Sequence, residues 1–104
     1  MTKTKETPDF VKDDAEQFLF DAIASLKSGA EVRRFMTDLC TPKELAEFSE
    51  RLLIARLLVH GGLSYRNISA VTGASTTTIG RVARFLEQEP HHGYRLVLGP
   101  EKGT

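Results

Sequence analysis

The chain has 104 residues, of which 40% are apolar and 27% charged, a composition that suits one soluble domain with one core. No apolar run approaches the roughly 20 residues of a membrane span, and residues 1–10 carry no apolar signal-peptide core, so the expected location is the cytoplasm. One cysteine, Cys40, excludes an intrachain disulfide and a cysteine-based zinc site, and a formal net charge of zero excludes a uniformly basic surface.

Residues 1–10 are expected to form a flexible tail, residues 11–90 a helical domain, and residues 91–104 a C-terminal segment. From Val11 to Lys27, apolar residues at Val11, Ala15, Phe18, Leu19, Ala22, Ile23 and Leu26 follow the helical period. Asp13, Asp14 and Glu16 stand in the first turns, where the helix dipole favours acids. Ser28-Gly29-Ala30-Glu31 has the pattern of a capping box and predicts a second helix with Val32, Phe35, Met36, Leu39 and Cys40 on one face. That face makes Cys40 a buried structural residue rather than a nucleophile. Thr41-Pro42-Lys43-Glu44 is a second capping box, with proline at the tolerated first position. It opens a long helix over 42–60 that is apolar on more than one side past Leu52, as in a helix enclosed by neighbours. Gly61-Gly62 ends it.

Residues 64–84 then read as a helix-turn-helix. Ile68 and Val71 are three apart on a short first helix. Ser69 is small enough for a second helix to cross close by. Gly73 stands where the chain turns and takes up a positive φ. Ser75 caps the next helix by accepting from the N–H of Thr77 or Thr78. On that helix Ile79, Val82 (or Ala83) and Leu86 face inward, leaving Thr76, Thr77, Gly80 and Arg84 outward. A short-side-chain face ending in arginine fits a DNA major groove. A helical hairpin used only for packing has the same pattern, and both readings stand at this level. Charge is distributed unevenly: residues 1–16 carry a net −2, whereas residues 64–86 hold Arg66, Arg81 and Arg84 and no acid, a net +3. Pro90 stops the helix, and Tyr94, Leu96, Val97 and Leu98 suit a short docking segment.

Aromatic residues Phe18, Phe20, Phe35, Phe48 and Phe85 need cover. Phe20 lies off the main stripe of its helix, which points either to a two-fold dimer or to a monomer in which Phe20 covers a loop. His60, His91 and His92 lack a carboxylate at ligand spacing, so no metal site is expected. Gly61-Gly62 lacks the downstream residues of a phosphate loop. No catalytic constellation is identified, and no enzyme is expected.

In this order of elements, Thr41-Pro42, Arg51, Leu57-Leu58, Gly61, Ser64-x-Arg66, Gly73-Ala74, Thr78-Ile79 and Arg81 resemble the Trp repressor family, in the Trp-repressor-like branch called YerC/YecD. The resemblance covers about residues 11–90. It implies an all-α, intertwined homodimer of bacterial origin that regulates transcription as a repressor, its partner a pseudo-palindromic double-stranded DNA operator read by two recognition helices about 34 Å apart. It matches Arg66 to a backbone-contacting arginine and places Thr76, Thr77 and Gly80 near base edges; Arg81 and Arg84 are expected to join Arg66 in contacting phosphates. It also implies an effector pocket at Thr41, Arg51 and Arg81, which in the family's tryptophan-binding member surround the corepressor. Here Val82 replaces the glycine that leaves room for the indole, and Phe85 replaces a serine. Tryptophan is therefore not expected to bind in the family's usual way. The pocket is left empty, filled by Val82 and Phe85, or shaped for another small molecule. The competing reading is a dimeric protein-interaction module whose degenerate motif does not bind DNA.

Overall fold

The computed structural model describes residues 6–100, and among them the chain is all-α: α1 Ala15–Ala24, α2 Gly29–Leu39, α3 Pro42–His60, α4 Tyr65–Thr72, α5 Thr76–Glu87 and α6 Gly93–Leu98. Of the expected tail at 1–10, the first five residues lie outside the described residues, as do residues 101–104 of the C-terminal segment. Residues 6–10 are exposed, and Asp9–Lys12 form a 3-10 turn.

The first helix is shorter than its apolar period predicts. Asp14 accepts from the backbone N–H groups of Glu16 at 3.0 Å and Gln17 at 3.2 Å, so it caps α1 instead of lying within it. At the other end the Ser25 hydroxyl donates to the Ala22 carbonyl at 2.7 Å. The backbone N–H of Lys27 donates to Glu31 at 2.8 Å, and Ser28 accepts from the Glu31 N–H at 3.1 Å, tying that segment to α2. Cys40 falls beyond the end of α2 and is half-buried, which corrects its expected place on the buried face of that helix.

The chain divides after Leu39 into two compact units. In the first, no described side chain is buried. Phe18 is 73% exposed and Phe20 52%, and an open groove of about 590 Å³ is lined by Phe10, Val11 and Phe18 with Asp13 and Asp14. An amphipathic helix gains its stability mainly by covering its apolar face, and within this unit that face is only partly covered, with Leu19 and Ala22 half-buried and Phe18 exposed.

The second unit has a core of its own. Ile54, Ile68, Ile79 and Val82 are fully buried, packed with Ala55 and Ala74, and each large side chain so buried contributes about 2 kcal/mol. α3 packs against α4, α5 and α6, and α5 packs against α4 and α6. Tyr94 and Leu98 of α6 lie against the core. The predicted capping box opens α3: Thr41 accepts from the Glu44 N–H at 3.1 Å, and the Glu44 carboxylate accepts from the Thr41 N–H at 2.8 Å. Gly61, at φ 82°, ends the helix. α3 buries Ile54, Ala55 and Val59 but leaves Phe48, Leu52 and Leu53 substantially exposed.

Candidate nucleic-acid interface

The turn between α4 and α5 is held by short polar side chains. Ser64 caps α4 by accepting from the Asn67 N–H at 3.0 Å, and the Asn67 amide oxygen accepts from the Ser64 N–H at 3.3 Å. At the far end Gly73 takes up a left-handed conformation, φ 79°, and its N–H donates to the Ser69 carbonyl at 2.9 Å. A side chain there would strain the backbone, so glycine suits the turn. The Ser69 hydroxyl donates to the Ala74 carbonyl at 2.6 Å. The Thr72 hydroxyl donates to the Ile68 carbonyl at 2.7 Å and accepts from the Ala74 N–H at 3.1 Å. Ala74 itself is buried, so these bonds satisfy backbone groups at a point where water has little access.

Ser75 then caps α5, accepting from the Thr78 N–H at 3.1 Å and donating its hydroxyl to the Thr78 hydroxyl at the same distance. Of the two capping partners the sequence allows, the structure selects Thr78. Ile79, Val82, Ala83 and Leu86 are buried, which fixes the rotation of α5 about its axis. Thr76, Thr77, Arg81 and Arg84 are exposed in consequence, and Arg66 is exposed on α4. Gly80 is half-buried, yet a β-carbon added there would meet nothing within 4 Å. Packing within the chain therefore does not require glycine at this position. Neither α4 nor α5 has an acid in its first turn, whereas α1, α2 and α3 each do.

The arginines of α5 have neighbours that sequence reading missed. The Arg81 guanidinium carbon lies over the Phe85 ring, 4.4 Å from its centroid, and that of Arg84 lies at 5.1 Å. His91 stacks on the same ring, with centroids 6.1 Å apart and planes 16° from parallel. Glu89 reaches Arg84 at 3.6 Å and His91 at 3.7 Å. The only local signal was the four-residue spacing of Arg81 and Phe85, which puts them on one helix face. The capping pair Ser64–Asn67 was also missed, although serine followed three residues later by a side-chain acceptor is its signature.

The expected effector residues are each engaged by the chain itself. The Thr41 hydroxyl caps α3. Arg51, half-buried, lies over the Phe48 ring at 5.2 Å. Arg81 lies over Phe85, and Val82 is fully buried in the core.

A family model described as Trp repressor protein matches residues 15–101. A protein of Bacillus subtilis (strain 168) named YerC, itself uncharacterized, is 43% identical over 86 residues, which is 83% of this chain and 81% of that one. Among solved structures, a candidate Trp repressor from Staphylococcus aureus superposes with a TM-score of 0.73 at 36% identity, covering 88% of this chain and 92% of the other. A TrpR-like protein from Eubacterium eligens ATCC 27750 superposes with a TM-score of 0.72 at 40% identity, covering 86% and 91%.

Proposed function

This chain belongs to the Trp repressor family, and from that premise we propose that it is a sequence-specific DNA-binding regulator of transcription, a repressor acting as a homodimer in the cytoplasm. The observation that carries this reading is the surface of the helix-turn-helix. Its inward side chains are buried and its turn is closed by hydrogen bonds, so α5 turns outward a face of Thr76, Thr77 and Gly80 flanked by arginines. Arg66, Arg81 and Arg84 take phosphates. Thr76 and Thr77 meet base edges, where a threonine donates a hydrogen bond or packs on a thymine methyl. Gly80 lets the helix approach closely.

The homodimer rests on uncovered apolar surface. The N-terminal unit has no buried side chain among its described residues, and α3 leaves Phe48, Leu52 and Leu53 open. A second copy offers the same faces in return, as a two-fold interface requires. Two recognition helices would then meet successive major-groove turns about 34 Å apart. DNA binding does not depend on tryptophan in this reading, because Arg51 and Arg81 hold phenylalanine rings of the chain and Val82 is part of the core. No helix among the described residues is long and apolar enough to cross a membrane.

The test is fluorescence anisotropy with a random-sequence duplex pool across roughly 50 to 200 mM salt, followed by sequencing of the bound fraction. Six arginines in a dimer set an upper slope of log affinity against log salt of about −5. An enriched palindrome establishes the operator and the dimer together. Absence of salt-sensitive binding and of enrichment refutes the proposal and leaves the protein-interaction reading in its place.

A further inference from the structure

We infer that Phe85 is a positioning residue for DNA contact, an aromatic anchor that pre-sets both arginines of α5 for phosphate; the inference rests on the DNA-binding reading above. Phe85 is half-buried, its ring accessible to side chains on either side along the helix. Arg81 reaches it from four residues before and Arg84 from the adjacent position, at 4.4 and 5.1 Å. His91 stacks against the ring from beyond the end of the helix. One ring thus gathers two cations and an imidazole from residues ten positions apart in sequence.

This arrangement is compatible with phosphate binding. A guanidinium over a ring uses its face, while its N–H donors point outward in its own plane. The edge that binds phosphate therefore stays available. An exposed arginine loses rotamer freedom when DNA orders it, and an arginine already over a ring has lost part of that freedom on folding. Glu89 adds to the picture. Its carboxylate lies 3.6 Å from the Arg84 Nε, with 56% of the Arg84 side chain exposed. In the free protein Glu89 offers Arg84 the kind of anionic oxygen that a phosphate supplies in the complex, at a distance too long to compete well with one.

The experiment compares Phe85→Leu and Phe85→Tyr with the parent chain, measuring affinity for the random-sequence duplex pool and thermal melting. Leucine keeps an apolar side chain without the π-face; tyrosine keeps the face. Phe85→Leu should weaken binding about tenfold, roughly threefold for each arginine, and Phe85→Tyr should restore it. In a chain carrying Arg81→Ala and Arg84→Ala, Phe85→Leu should have no further effect, since the ring then has nothing to orient. Parental affinity in Phe85→Leu overturns the inference, and so does a tenfold loss that persists without the arginines. If Phe85→Leu melts early, Phe85→Met replaces it. A readout free of DNA is the proton spectrum of the arginine Nε–H groups. Ring-current shifts of Arg81 and Arg84 that vanish in Phe85→Leu support the anchor, and shifts that persist refute it. The two levels fail separately: a parent chain that binds no duplex refutes the DNA reading, whereas a parent that binds and a Phe85→Leu variant that binds equally refute only the anchor.

Discussion

Gly80→Ala separates folding from function by the sign of its effects. Gly80 lies inside α5, away from the positive-φ glycines of the chain, and the added β-carbon meets nothing within 4 Å. Alanine in a helix interior is more favourable than glycine by about 0.8–1.0 kcal/mol. The substitution should therefore stabilise the protein about fivefold in its unfolding constant and raise its melting temperature by about 4 °C. If α5 lies in the major groove with Gly80 against the bases, the same methyl group is an overpacked contact costing about 1–3 kcal/mol. Affinity for the enriched operator should then fall by roughly fivefold to a hundredfold. Chemical denaturation and anisotropy on one preparation measure both. A variant less stable than the parent would show that the space above Gly80 is not open. A variant that is more stable and binds DNA as the parent does would show that the glycine serves no close approach.

Arg66→Ala should weaken binding to all sequences alike and reduce the salt slope by about one; an unchanged slope in the salt titration removes Arg66 from the phosphate contacts. Thr77→Ala should alter the recovered consensus at one position in each half-site, with discrimination there reduced by about 1–3 kcal/mol, and an identical consensus removes Thr77 from base contact. Gly73→Ala, at φ 79°, should destabilise the fold by about 1–2 kcal/mol in denaturant, against the sign expected for Gly80→Ala. Phe18→Ser, at a side chain 73% exposed in one copy of the chain, should shift sedimentation toward the monomer and weaken operator binding; an unchanged dimer places the interface elsewhere.

What could be read in the sequence was whatever is settled within one turn of helix. The Thr41–Glu44 capping box, the Ser75 cap and the left-handed Gly73 involve groups no more than four residues apart, and the helical period alone put Ile79, Val82 and Leu86 inside. Periodicity failed at the start of α1, where the apolar spacing runs on past Asp14 but the carboxylate takes the first N–H groups and caps the helix. Family membership was legible because the motif residues follow one another in order along the chain. The candidate DNA-facing surface was named residue by residue, although its anchor was not. α5 ends at Glu87, and no local rule says that the chain beyond it brings Glu89 to Arg84 and His91 to Phe85. Likewise the period of α3 marks many apolar positions without choosing among them. Packing against α4, α5 and α6 chose Ile54, Ala55 and Val59 and left Phe48, Leu52 and Leu53 open. Caps and periods are set by neighbours in the chain, whereas burial depends on which surfaces meet in space, and only the tertiary structure decides that.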